Sequence, residues 1–95
     1  MIMIKRTNII AHELIGLKTK VVFSLARPYM GIEGIVVDET KNTFLIRSGN
    51  KERRVAKKNT IFEFILPNNE SVRVNGNLLI NLPENRLKRS IHKLK

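Results

Sequence analysis

The sequence predicts a mainly β fold, a small bent antiparallel barrel of about six strands with a helix at each end. Three observations carry that expectation. Short apolar runs alternate with polar residues at close spacing, turn-forming residues separate them, and helical periodicity is confined to the two ends. A chain of 95 residues is long enough for one compact domain and too short for two. It divides into a helical segment over 1–16, a barrel over 17–82 and a basic helix over 83–95.

Asn8 can cap a short helix running through Ile9 to Leu14, and Gly16 is placed to end it in the left-handed conformation. Ile10 and Leu14 share a face; together with Ile9 they form the expected surface for a protein partner. From Leu17 the period changes to two. Leu17, Thr19, Val21, Phe23 and Leu25 alternate with Lys18, Lys20, Val22, Ser24 and Ala26, until Arg27, Pro28 and Tyr29 break the strand. Ile32 to Val37 is apolar on both faces apart from Glu33 and Gly34, which predicts a central strand that Gly34 allows to bulge or bend. Such a bend lets a small sheet close.

Asp38 to Asn42 forms the next turn, with Asp38 expected to accept backbone N–H bonds and Asn42 to tolerate positive φ. Thr43 to Arg47 returns as a strand, Ser48-Gly49-Asn50 turns again, and Glu52 to Lys57 is a polar strand anchored by Val55. Ile61 to Leu66 is the most hydrophobic strand, and Pro67-Asn68-Asn69 closes it before Val72 and Val74 resume the alternation. Asn75-Gly76 is the strongest hairpin signal, which makes Leu78 to Leu82 a sixth short strand. Pro83 and Glu84 then open a terminal helix whose Leu87, Ile91 and Leu94 form one stripe among cationic residues.

Lysine and arginine number 18 against 8 acidic residues, giving a net charge of +10 and a pI near 10.6, while 42% of residues are hydrophobic. The apolar share argues against a disordered basic tail. A folded domain with this excess charge repels itself, and a polyanion relieves the repulsion through phosphate pairing and counterion release. Nucleic acid is therefore the first candidate partner and an anionic membrane surface the second. Arg53, Arg54, Lys57 and Lys58 lie on one strand and its following turn, Lys41 and Arg47 on the neighbouring hairpin, and Arg27 in the loop after the first strand. Arg86, Lys88 and Arg89 extend the basic set along the terminal helix. Because Arg53 and Arg54 point to opposite faces, one patch can hold all four only if their strand is twisted or at an edge. Core packing explains Phe23, Phe44, Phe62 and Phe64 better than base stacking does, and Tyr29, beside Arg27, packs on the barrel mouth or contacts RNA.

Catalytic chemistry finds no constellation here. Ser24, Ser48, Ser71 and Ser90 sit in no nucleophile-elbow pattern, and the adjacent Asp38 and Glu39 suit a turn better than an acid–base pair. With no cysteine, disulfides and thiolate zinc sites are excluded, and His12 and His92 lack a closely spaced second ligand, so no cofactor or metal is expected on this chain. Lys5 and Arg6 interrupt the N-terminal apolar residues, so no secretion signal is read. No apolar run approaches the roughly 20 residues needed to cross a bilayer. A cytoplasmic location without membrane association follows as the expectation.

HELIGLK (His12 to Lys18), GIEGIVVDETKNTFLI (Gly31 to Ile46), VAKKNTIFEF (Val55 to Phe64), VRVNG (Val72 to Gly76) and PENRLKR (Pro83 to Arg89) resemble the archaeal ribonuclease P protein component 1 family, relatives of a eukaryotic ribonuclease P and MRP subunit. The resemblance spans nearly the whole chain. It departs at Leu82, where the family pattern has a basic residue, so no RNA contact is expected there. The resemblance implies an Sm-like barrel and a noncatalytic subunit of ribonuclease P, which removes the 5′ leader of precursor tRNA. Catalysis would belong to the RNA and its divalent metal ions, magnesium in particular. It further implies ribonuclease P RNA, a zinc-ribbon subunit and other ribonuclease P proteins as partners, with precursor tRNA met through the holoenzyme. A generic Sm-like or ribosome-associated RNA-binding module is the alternative, and a protein-only nuclease is a more distant one.

Overall fold

Three residues join strands that lie four positions apart in the sheet, and that short link rolls the sheet. The structure, a computed structural model, describes residues 14–80. These residues form β1 (Lys18–Ser24), β2 (Glu33–Glu39), β3 (Thr43–Ser48), β4 (Lys51–Ala56), β5 (Thr60–Ile65) and β6 (Ser71–Asn75), with a 3₁₀ turn at Arg27–Tyr29 and a short helix α1 (Gly76–Ile80). All neighbours pair antiparallel, in the order β4-β3-β2-β1-β5-β6. The expected terminal helices, with Ile9, Ile10, Arg86, Lys88 and Arg89, lie outside the described residues.

In a flat sheet, β4 and β5 would be about 19 Å apart at ~4.8 Å per strand. Only Lys57, Lys58 and Asn59 connect Ala56 to Thr60, a reach of at most about 14 Å when fully extended. The sheet must therefore curl. Phe44 of β3 and Phe62 of β5 record the result, since their rings are 5.0 Å apart although two strands separate them in the ladder. No ladder joins β4 to β6 among the described residues, so the sheet is rolled into a barrel-like shape without hydrogen-bonded closure.

Glycine permits the curvature at two close approaches. A Cβ on Gly34 of β2 would lie 2.1 Å from the Arg47 carbonyl oxygen of β3, and one on Gly76 would lie 2.0 Å from that of Lys57. Neither glycine has positive φ, so each is required for space rather than for backbone freedom. Gly49 serves the other purpose: φ is +62° there and negative at Asn50, the sign pattern of a II′ hairpin between Ser48 and Lys51.

The core fills the inside of the roll. Phe44, Phe62 and Phe64 form an aromatic triad, edge-to-face or stacked, among Val21, Val36, Ile46, Val55, Leu66, Val74 and Leu79. Leu14 closes one end with 0% exposure, and the left-handed Gly16 (φ +97°) turns the chain from it into β1. Leu14 thus fills this chain's own core, a correction to its expected partner-facing role. Tyr29 packs against the core from the mouth.

Three further expectations are corrected. The alternation in β1 fails at Val22, where an extra residue shifts the register between Val21 and Phe23. Past this bulge Phe23 faces out, 46% exposed, while Ser24 turns inward to hydrogen-bond Thr60 through their hydroxyls at 2.9 Å. Asn75-Gly76 is no hairpin. The sixth strand is Ser71–Asn75, and Gly76, where the carbonyls of Lys57 and Thr60 leave no room for a Cβ, opens α1, so that Leu78 to Ile80, expected as the start of a strand, are helical. In the β2–β3 turn the organiser is Thr40 rather than Asp38: its hydroxyl accepts the Thr43 N–H at 3.0 Å, and Asn42 keeps ordinary φ.

Alanine at Gly34 or at Gly76 should lower stability by about 1–3 kcal/mol or more, because the neighbour in each case is rigid backbone. Urea unfolding of each variant measures it, and an unchanged midpoint would contradict the close approaches.

Candidate nucleic-acid interface

Alternation along β4 sends its charges to both faces of an edge strand. Lys51, Glu52, Arg53 and Arg54 are all exposed, and only Val55 is buried. Opposite β3, Arg47 pairs with Glu52 and Leu45 with Arg54 on the outer face, while Ile46 pairs with Arg53 and Phe44 with Val55 on the core side. The edge position answers the geometric condition set above, since side chains on either face of an outermost strand reach the same solvent front.

Particular contacts orient these groups. Arg54 donates from Nη1 to the Thr43 hydroxyl at 2.9 Å. Arg53 is exposed with Nη2 3.5 Å from the Pro28 carbonyl, which brings it to the turn carrying the exposed Arg27. Arg47 donates from Nε to Glu52 at 2.9 Å. That exposed pair is worth about 0–1 kcal/mol, and its main consequence is to cancel the Arg47 charge locally. Lys41 and Lys58 are exposed in the turns beside β4.

Lys57 does not belong to this surface. Its side chain is 1% exposed, and its ammonium donates to the Glu39 carboxylate at 2.7 Å and to the carbonyls of Thr40 at 2.8 Å and Lys41 at 3.2 Å. All three of its donors are satisfied, and the charge sits 4.9 Å above the Phe44 ring. Its backbone N–H donates to the Asn42 carbonyl at 2.8 Å. A residue read from the sequence as a phosphate contact is instead an internal staple between the β2–β3 turn and the β4–β5 link.

The structure also adds cations that the sequence reading left out. Lys51 stands two residues before Arg53 on the same face, and the KERR run itself was its signal. Lys18 and Lys20 of β1 line an outer-face groove of about 420 Å³ with Glu33, Ile35, Glu63 and Ile65. Arg73 of β6 reaches Glu63 at 3.4 Å. Strand alternation had already marked Lys18 and Lys20 as outward, but without the sheet order nothing placed them beside β2 and β5. Among the described residues no three histidine, cysteine, aspartate or glutamate side chains cluster to hold a metal ion, and no helix is long and apolar enough to cross a membrane.

A rolled six-stranded sheet with a cationic edge defines a small β module suited to a polyanion, and comparison with known proteins gives it a family. Residues 7–89 match the family described as Ribonuclease P/MRP, subunit p29, and the chain belongs to that family. It is 37% identical over 93 residues to the ribonuclease P protein component 1 of Methanosphaera stadtmanae, covering 98% of this chain and 100% of the relative. The protein of that name from Staphylothermus marinus is 44% identical over 84 residues, 87% of this chain and 91% of the relative. Among solved structures, Mth11, described as a homologue of human RNase P protein Rpp29, superposes with a TM-score of 0.62 at 42% identity. It covers 79% of this chain and 97% of its own.

Replacing Lys57 by alanine removes a buried ammonium that the Glu39 carboxylate and two part-buried carbonyls accept from, and should reduce stability by about 3 kcal/mol. Arg54→Ala, on the exposed surface, should stay within about 0.5 kcal/mol of the parent. Equal losses in guanidinium unfolding would contradict the division of roles.

Proposed function

We propose that this chain is a noncatalytic protein subunit of ribonuclease P that binds and stabilises the catalytic RNA for removal of the 5′ leader from precursor tRNA. The observation that carries the reading is its similarity, over nearly the full chain, to proteins named ribonuclease P protein component 1. The exposed cations of β4 and its neighbouring turns supply the physical means. Folding a large RNA packs phosphates closely, and arginine and lysine heads held on a rigid edge offset that repulsion and release counterions. Less metal is then needed to hold the RNA in its active shape.

The carboxylates support a supporting rather than a catalytic role. Glu39 holds Lys57, Glu52 holds Arg47, Glu63 meets Arg73, and Glu70 accepts from Asn68 at 2.8 Å. These four of the six described carboxylates are committed to a partner within the chain, and the other two, Glu33 and Asp38, lie on β2 with no general acid or base paired to them. The divalent ions of the reaction are assigned to the RNA, and this chain contributes charge and shape. Under this reading its partners are ribonuclease P RNA, a zinc-ribbon subunit that meets the N-terminal segment around Ile9 and Ile10, and other ribonuclease P proteins, in the cytoplasm.

Reconstituting the RNA and the other protein subunits at limiting magnesium, with and without this chain, tests the proposal. Added chain should raise precursor-tRNA cleavage, and the chain alone should cleave nothing; cleavage without RNA would overturn the assignment. The contact residues have their own test. Removing Arg53 or Lys51 to alanine should weaken RNA binding and flatten the dependence of log K on log salt by about one unit each. An unchanged slope would remove β4 from the interface.

A further inference from the structure

Beside the basic edge, the structure contains a feature that phosphate binding does not use. The bulge at Val22 turns Phe23 out of the core, and Leu25, two residues on, is 69% exposed. A β-bulge commonly re-aims one side chain, and here it exposes an aromatic ring while a hydroxyl pair, Ser24 with Thr60, takes the inward position. Phe23, Leu25 and Ile61 form the apolar wall of a hollow of about 190 Å³, and Asn59, Asn75 and Asn77 form its rim.

The rim has a defined polarity. Asn75 Oδ1 accepts the Asn77 backbone N–H at 2.9 Å, and Asn77 Oδ1 accepts the Asn59 backbone N–H at 2.9 Å. Both amide oxygens are thereby used, which fixes the orientation of the two side chains. Their Nδ2 groups have no acceptor among the described residues. The hollow is therefore lined by one aromatic ring and by two asparagines whose amide N–H groups are uncommitted, with exposed Lys58 next to Asn59 in sequence, exposed Arg27 two residues past Leu25, and no acid in its lining.

We infer that this hollow takes one unpaired RNA base, stacked on Phe23 and held by the Asn75 and Asn77 amide donors, with its flanking phosphates on Lys58 and Arg27. A base presents a π face together with carbonyl oxygens and ring nitrogens as acceptors, which matches this set. An apolar protein segment laid over the same hollow would leave the donors unsatisfied. The inference rests on the RNA-binding reading and gives it a second kind of contact, to a base rather than to the backbone.

The test uses the full chain and a single-stranded hexanucleotide with a central 2-aminopurine. Binding should quench the fluorophore through stacking. Phe23→Ala should abolish the quench and weaken binding by about 5- to 150-fold, the range of one base–aromatic stack. Phe23→Trp should restore both. Because Phe23 is half exposed, both variants should melt with the parent. Arg53→Ala, measured in parallel, reports RNA binding as such. If Arg53→Ala weakens binding while Phe23→Ala binds within twofold of the parent and still quenches, the base pocket is overturned and the RNA-binding reading stands. If Phe23→Ala keeps RNA affinity but loses assembly with the other protein subunits, the hollow belongs to a protein partner and the inference fails.

Discussion

The three-residue link from β4 to β5 is the constraint on which the rest depends. It is too short to span a flat sheet, so the strands roll, and the roll brings Phe44, Phe62 and Phe64 into one cluster. The aromatic core is thus a consequence of connection length as much as of hydrophobicity. The same link carries the buried Lys57, whose ammonium ties it to the β2–β3 turn by three hydrogen bonds. A charge enclosed by one carboxylate and two carbonyls is a directional clamp, and it sets the turn's position in a way that an apolar contact would not.

Neighbouring cations consequently have opposite fates. Lys57 and Lys58 are consecutive, and one is inside the molecule while the other is in solvent. Arg53 and Arg54 face opposite sides of β4, yet both are accessible because β4 is the last strand. Charge density along a chain therefore overstates the charge a polyanion meets, here by Lys57 outright and by Arg47 through its pair with Glu52. The positive residues on β4 have a second effect, since an edge strand bearing lysine and arginine resists pairing with another sheet.

Where the fold was legible in the sequence, the reason was local. An apolar run marked β5 and two-residue alternation β6, and Ser48-Gly49-Asn50 marked the place of the β3–β4 hairpin, although Ser48 pairs with Lys51 and only Gly49-Asn50 forms the loop. Legibility failed where a non-local contact prevailed. Asn75-Gly76 has hairpin chemistry, but Gly76 is present because two carbonyls lie where a Cβ would be. Phe23 followed the alternation perfectly until one unpaired residue reversed its face, and no residue type in that strand announces a bulge. The exposed ring beside the asparagine rim was invisible for the same reason.

By itself the sequence determined a mainly β domain, the turns after β1, β2, β3 and β5, its excess of positive charge and its family, because periodicity, turn chemistry, composition and long matching strings are written along one dimension. Tertiary structure alone decided that β4 is an edge, that Lys57 is internal, and that Phe23 lines one hollow with Asn59, Asn75 and Asn77. Each of these depends on which strands become neighbours after the sheet rolls. That is fixed by the summed geometry of twist, bulge and link length, which no single segment contains.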